Sequence, residues 1–363
     1  MSPEAAALTR AASTPSARLR VLGERLQARR RARWVSGGDG VPPPRSPAQV
    51  WEALARPETA VTELEVARLA AALLRGCGDS AEVALRERPR RREHSRSDVA
   101  ALGSWLVRSG DQLLDLGSMM VLGASAVPHT VLNSVQLAAA LDAAAAIEVS
   151  TAAEGRAAAL GRAESAVNGW RDGWLPLAAR ATVWVNVGAS SGLDHAARDL
   201  SAAIALSDDA GLHLARARVL LGQRRLVEVA FETQRALQMA PGFTEAAMAS
   251  MLLHRVYAQL DGGAPSGCEA LHLAHQPTAD LASVLCAEGQ SEASRAQAAT
   301  QLVARSTDPL VLAYAGRALG PSAAPTLRQK TTLAAARREL VGWLEAAGES
   351  ALLAALVPQD GGL

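Results

Sequence analysis

Gly188-Ala189-Ser190-Ser191-Gly192 matches G-x-S-x-G, the turn that lifts a nucleophilic hydroxyl above the sheet of a serine hydrolase. Val183-Trp184-Val185-Asn186-Val187 just before it could supply the strand that such an elbow needs, and a helix can start at Leu193. The flanking sequence offers no series of apolar strands for a parallel sheet, so a helix ending in a Ser-Gly turn is the favoured reading of this segment. Cys268, His272, His275 and Cys286 form the second constellation. On a helix Cys268 and His272 share a face at i, i+4, His275 lies one turn further, and Cys286 returns from the next helix, so the four could meet at a tetrahedral zinc. Their spacing matches no zinc module, and surface histidines with cysteines packed as small apolar groups are favoured. The sequence contains no Walker loop with its Lys, no dinucleotide fingerprint after a strand and no H-E-x-x-H. The expectation is a protein that is not an enzyme and holds no metal or cofactor.

Two arginine clusters remain as candidate binding residues. Arg29, Arg30, Arg31 and Arg33 precede Trp34, and Arg88, Arg90, Arg91 and Arg92 follow fifty residues later. Such runs bind phosphate backbones or acidic protein surfaces through counterion release and steering, or they simply solvate an exposed tail. Trp170, Trp174 and Trp184 stand out in a chain with only 3% aromatics. Trp170 and Trp174 are candidate partner anchors, although filling gaps between Ala-rich helices is the favoured role for all three.

About a fifth of the 363 residues is Ala, the best helix former, while the residues that fill sheets are thin outside a few Val-rich stretches. That favours an all-α protein. The basic residues are almost all Arg, and the net charge of +1 is uneven: residues 1–97 carry 18 Arg against 11 acids, and the remainder is mildly acidic. Three widely spaced cysteines are no disulfide framework, which makes a reducing compartment the default. The first residues lack the apolar core of a secretory signal but are Arg- and Ser-rich, with Leu19, Leu22 and Leu26 as an apolar stripe. Mitochondrial matrix and cytoplasm are both open on these grounds. Between Asp115 and Asp142 no charge occurs, yet Pro128, His129, Thr130, Asn133, Ser134 and Gln136 interrupt the run. Two buried helices joined near Pro128, the second ending near Ile147, fit better than a membrane span.

Residues 1–46 read as a basic arm rich in Arg, Pro and Gly, closed by the Gly37–Pro44 linker. Residues 47–97 read as short helices and a basic loop, and 98–174 as a helical region. From 175 a period emerges: helix starts fall near Leu175, Ala210, Phe243, Pro277 and Asp308, with breaks at Ser191-Gly192, Gly222-Gln223, Gly262-Gly263, Gly289-Gln290 and Gly320-Pro321. A repeated two-helix unit of about 34 residues is the mark of a helical solenoid. In Arg225–Ala240, Leu226, Val229, Ala230, Thr233, Leu237 and Ala240 keep the spacing of one buried face. Residues 321–363 read as a capping helix and tail, with Leu333, Ala336, Leu340, Trp343, Leu344 and Ala347 inward and Arg337, Arg338 and Glu339 outward.

The segment from Gly222 through Ala236-Leu237-Gln238-Met239-Ala240-Pro241 resembles the tetratricopeptide repeat, whose second helix ends in an Ala-Leu run before the Pro that starts the next unit. Similar endings lie at Glu292-Ala293 to Asp308-Pro309 and at Ala196-Ala197 to Ile204-Ala205-Leu206. The resemblance covers residues 175–320 and implies stacked antiparallel helix pairs, an α-solenoid. The related organellar RNA-binding repeats have the same helical pairing. The first functional reading is therefore a non-enzymatic scaffold or adaptor subunit, with other protein subunits as partners. An RNA-associated subunit of an organellar ribonucleoprotein or ribosome is the alternative, and a serine hydrolase using Ser190 is the third.

Overall fold

The computed structural model describes residues 2–30, 33–35, 45–86, 105–116, 118–127, 129–188, 191–260 and 263–357. The chain is mostly helical and divides into two units, whose described residues meet within one helix, at Val183 and Trp184.

The first unit begins with helices α1 (Pro3–Ala11) and α2 (Pro15–Arg29), each opened by a Ser or Thr cap and a Pro in its first turn. Strand β1 (Arg33–Val35) pairs in parallel with β2 (Ala60–Thr62); between them lies α3 (Pro47–Leu54), and α4 (Glu63–Gly76) follows. Ser46 with Gln49 and Thr62 with Glu65 close reciprocal capping boxes, which is why α3 starts at Pro47 and α4 at Glu63. Strands β3 (Ala81–Arg86), β4 (Trp105–Ser109), β5 (Gln112–Asp115), β6 (Met120–Gly123) and β7 (His129–Val131) then build an antiparallel sheet in the order β6-β5-β4-β3-β7. Helices α2 and α4 pack on this sheet. Gly23 permits the approach of α2, since a Cβ there would stand 3.0 Å from Leu114 Cδ1 and 3.1 Å from the Met119 carbonyl. A helical hairpin follows, α5 (Ser134–Ser150) against α6 (Arg156–Gly169), closed by Ala139, Ala143 and Ala146 facing the buried Ala159, Ala163 and Ala166.

Three expectations change here. Residues 3–29 are no irregular arm: Leu19, Leu22 and Leu26 are buried, and Arg18 forms a buried pair with Asp79, Nε to Oδ2 2.8 Å. The apolar stripe on α2 found a sheet and α4 to cover it. The uncharged stretch supplies one helix, α5, where two were expected; its first half forms β6, a 3₁₀ turn at Ala124–Ala126 and β7. The region expected to be helical over 98–174 opens instead, in its described part, with strands β4 and β5, while the linker at 37–44 and residues 98–104 lie outside the described residues.

Helix α7 (Trp174–Val187) spans the division. The second unit continues as α8 (Gly192–Leu206), α9 (Ala210–Gly222), α10 (Leu226–Met239), α11 (Thr244–Leu252), the short α12 (His254–Tyr257), α13 (Gly267–Ala274), α14 (Pro277–Cys286), α15 (Glu292–Arg305) and α16 (Pro309–Leu319). After a 3₁₀ turn at Gly320–Ala323 come α17 (Ala324–Lys330), α18 (Ala334–Ala347) and α19 (Ser350–Leu356). Sequence neighbours pack on one another: α8 on α9, α9 on α10, α10 on α11, and α13 through α16 in turn. Helices start within about two residues of Leu175, Ala210, Phe243, Pro277 and Asp308, since Asp209, Pro277 and Asp308-Pro309 supply caps and first turns. On α10 the expected stripe is right, with Val229, Ala230, Thr233 and Leu237 buried.

Candidate functional site

Arg29 is spent inside the first unit. Its Nε donates to the Trp51 carbonyl at 2.9 Å and its guanidinium lies 4.7 Å over the Trp51 ring, which ties the end of α2 to α3. Arg30 caps α2 through its backbone and has a partner of its own. The side chain of Arg33, and all of Arg31, Arg88, Arg90, Arg91 and Arg92, lie outside the described residues. Trp170 and Trp174 are 7% and 8% exposed, so both fill the interior. Trp184 stacks on His195 of α8, ring centroids 4.5 Å apart. The segment Val183–Val187 belongs to α7 and is no strand, and Ala189 and Ser190 lie outside the described residues.

Cys268 and Cys286 are joined by a disulfide with their Cα atoms 5.9 Å apart, where the sequence had favoured separate cysteines packed as small apolar groups. Among the described residues, and with that bridge closed, no three His, Cys, Asp or Glu side chains are grouped to hold a metal ion.

What the residues did not announce is the surface that α18 covers. This helix packs across α9, α11, α12 and α16. Gly342 permits the close crossing, since a Cβ would lie 3.1 Å from Leu221 Cγ of α9. Leu340, Trp343, Leu344 and Ala347 are buried as expected, whereas Leu333 is exposed before the helix begins. Glu339, expected to face outward, turns in. Arg218 of α9 donates to Glu339 Oε1 at 3.0 Å and to Asp308 Oδ2 at 2.9 Å, and Trp343 Nε1 donates to Glu339 at 3.1 Å. Burial opposes the Arg218 charge, but Asp308 and Glu339 outweigh it and hold the guanidinium above its ordinary pKa. Burial in turn raises the Glu339 carboxyl, with Arg218 opposing.

The outer face differs. Val227 and Phe231, one turn apart on α10, are 49% and 57% exposed, and Leu206 at the end of α8 is 49% exposed. Arg235, one turn beyond Phe231, donates to Asp208 Oδ2 at 2.9 Å and brings the segment after α8 alongside α10. Beneath lies His213 of α9, with Nδ1 2.6 Å from Glu232 Oε2 and Nε2 2.7 Å from Asp208 Oδ1. Arg216 completes the cluster through Glu232. No hydrophobic signal in the α10 pattern marked Val227 and Phe231 as special; they are visible only once the buried stripe is fixed. No family model, curated protein or solved structure matches this chain. Among the described residues no helix is long and apolar enough to cross a membrane.

Proposed function

We propose that this chain is a non-enzymatic helical-repeat scaffold, an adaptor subunit of a larger protein assembly, in which α8 and α10 present a protein-docking face. The observation that carries the reading is the exposed Val227–Phe231 pair on a rigidly packed helix. One of the only two Phe residues of the chain stands largely in water there, one helical turn before Arg235. Large apolar side chains held on a helix that is braced from beneath are the usual core of a partner contact, and the charged rim around them sets orientation. The scaffold reading also draws on two clusters of ionisable groups in this unit that are closed upon themselves. Arg218 is bound by Asp308 and Glu339, and His213 by Asp208 and Glu232.

The test is a nuclease-treated pull-down from native extract with the wild-type chain and a Val227→Gln/Phe231→Gln variant. Exposed substitutions of this kind should move stability by no more than about 0.5 kcal/mol, so circular dichroism and melting stay unchanged. Loss of the same protein partners in the variant supports the docking face. Retention of all partners removes it, and partners that vanish with nuclease alone turn the reading toward RNA.

A further inference from the structure

We propose that Cys268, Cys286, His272 and His275 form a redox-gated zinc site, closed as a disulfide when oxidised and open to the metal when reduced. Cys268 sits in the first turn of α13 and Cys286 is the last residue of α14, so the bridge ties the start of one helix to the end of the next. His272 stands one helical turn beyond Cys268, on the same face. His275 then ends α13 with φ 45° and ψ 52°, a left-handed position where Gly or Asn is the ordinary choice. Both histidines are exposed and both cysteines half-buried, and all four line one open cavity of about 640 Å³. Glu269 and Glu288 line it as well.

In the bridged form each sulfur is bonded to the other and carries no thiolate for a metal. A dithiol reductant changes that: one of its thiolates attacks a bridge sulfur, its second thiol displaces the mixed disulfide, and it leaves as a cyclic disulfide. Two electrons and two protons pass to Cys268 and Cys286. Zn²⁺ then replaces both thiol protons, and the neutral imidazoles of His272 and His275 complete a Cys₂His₂ tetrahedron. Two thiolates on one zinc stand about 3.8 Å apart if each bond is about 2.3 Å, a separation reached by side-chain rotation alone. The Cα separation of 5.9 Å thus serves both states. Loss of two electrons to a disulfide oxidant reverses the sequence and releases the ion. The inference stands apart from the docking face and does not depend on it.

Cobalt(II) titration of the full chain tests it. The reduced protein should take up one Co²⁺ with the intense visible bands of a tetrahedral site and the near-ultraviolet charge transfer of two thiolates, and Zn²⁺ should displace it. The oxidised protein should show neither. His272→Ala and His275→Ala should each weaken the reduced site by at least about tenfold, since even partners outside the ligand set cost 10- to 100-fold. Cys77→Ser removes the remaining thiol; if that variant fails to fold, the intensity of the charge-transfer band still counts two thiolates against one in the wild type. Equal uptake by the oxidised form, no uptake by the reduced form, or indifference to both histidine variants would each overturn the site.

Discussion

In the first unit, distant segments are stitched directly to one another. Arg18 of α2 reaches Asp79 across 61 residues, Arg45 binds Glu65 at 2.9 Å and 2.8 Å, and five short strands pair out to β7. In the second unit much of the packing joins helices close in sequence, α8 on α9, α9 on α10 and α13 through α16 in turn, with α11 meeting α13 and α16 as well. The longest return is that of α18, which crosses 121 residues to bring Glu339 to Arg218. A stack alone can unfold piecemeal from its ends. A helix laid across several of its members, and held there by a buried charge cluster, makes those members fail together. The first unit obtains its cooperativity from non-local strand and helix packing, the second from the returns of α16 onto α11 and of α18 onto α9 and α11.

The largest break in this comparison is deletion of residues 1–46. It removes Leu19, Leu22 and Leu26, which cover the sheet, and leaves Asp79 without Arg18. The expected outcome is loss of hydrogen-exchange protection across α4 and β3–β5 while α9–α18 stay protected. Retained protection in α4 would show that the sheet closes without α2.

Next in size is Arg218→Met, which strands Asp308 and Glu339 in the interior. Breaking a buried ion cluster from one side costs about 3–5 kcal/mol, read as a shift in the denaturant midpoint of the second unit. Adding Glu339→Leu should recover part of that loss, because it removes one of the stranded charges. A midpoint that does not move would mean that α18 is held by Leu340, Trp343 and Leu344 alone. Smaller again is Leu237→Asp on α10. The side chain is buried at the edge of the stripe, so the carboxylate loses much of its hydration, at a cost of about 3 kcal/mol. An unchanged melting curve would put this face in water.

Helix starts in the second unit were readable because Asp, Pro and Gly punctuate them locally: Asp209 caps α9, Pro277 opens α14 and Asp308-Pro309 opens α16. The strands of the first unit were not. Arg86 reads as the start of an exposed basic loop, yet it ends β3 and is buried beside Asp115 of β5, Nη2 to Oδ2 3.7 Å. Its partner is set by strand register, which no local pattern encodes. Glu339 failed for the same reason: directly after the basic pair Arg337-Arg338 it looks like a solvent face, until Arg218 is brought beneath it. Leu19, Leu22 and Leu26 were legible as a stripe but not as a destination. At the candidate docking face, Val227 and Phe231 were silent because a buried face and an exposed apolar pair use the same residue types.

The smallest expected effect is a pH dependence at His213, which sharpens the contrast because no histidine is buried among the charged groups named in the first unit. Burial works against the imidazolium, but the hydrogen bonds to Glu232 and Asp208, with the charges of both, outweigh it and raise the pKa above the ordinary 6.5. Asp208 is lowered in return, chiefly through His213, with burial opposing and Arg235 assisting. Asp209 beside them is raised by burial, and Arg216 holds Glu232 from the other side. A raised folded-state pKa means that the folded chain binds the proton more tightly than the unfolded one. The resulting stabilisation is fully present below about pH 6.5 and is lost as pH rises through the folded value. The depressed Asp208 acts at the other end: its contribution is present above about pH 4 and fades as pH falls through its folded value. Denaturation of the second unit should therefore show a slow decline in midpoint from pH 6.5 upward that His213→Gln flattens, since Gln keeps a polar side chain but binds no proton. Glu232→Gln should shift that decline to lower pH, because one of the two partners of the imidazolium loses its charge. A His213→Gln profile parallel to the wild type would show that the proton on His213 does not couple α9 to α10, and the outer face would then have no dependence on pH from this cluster.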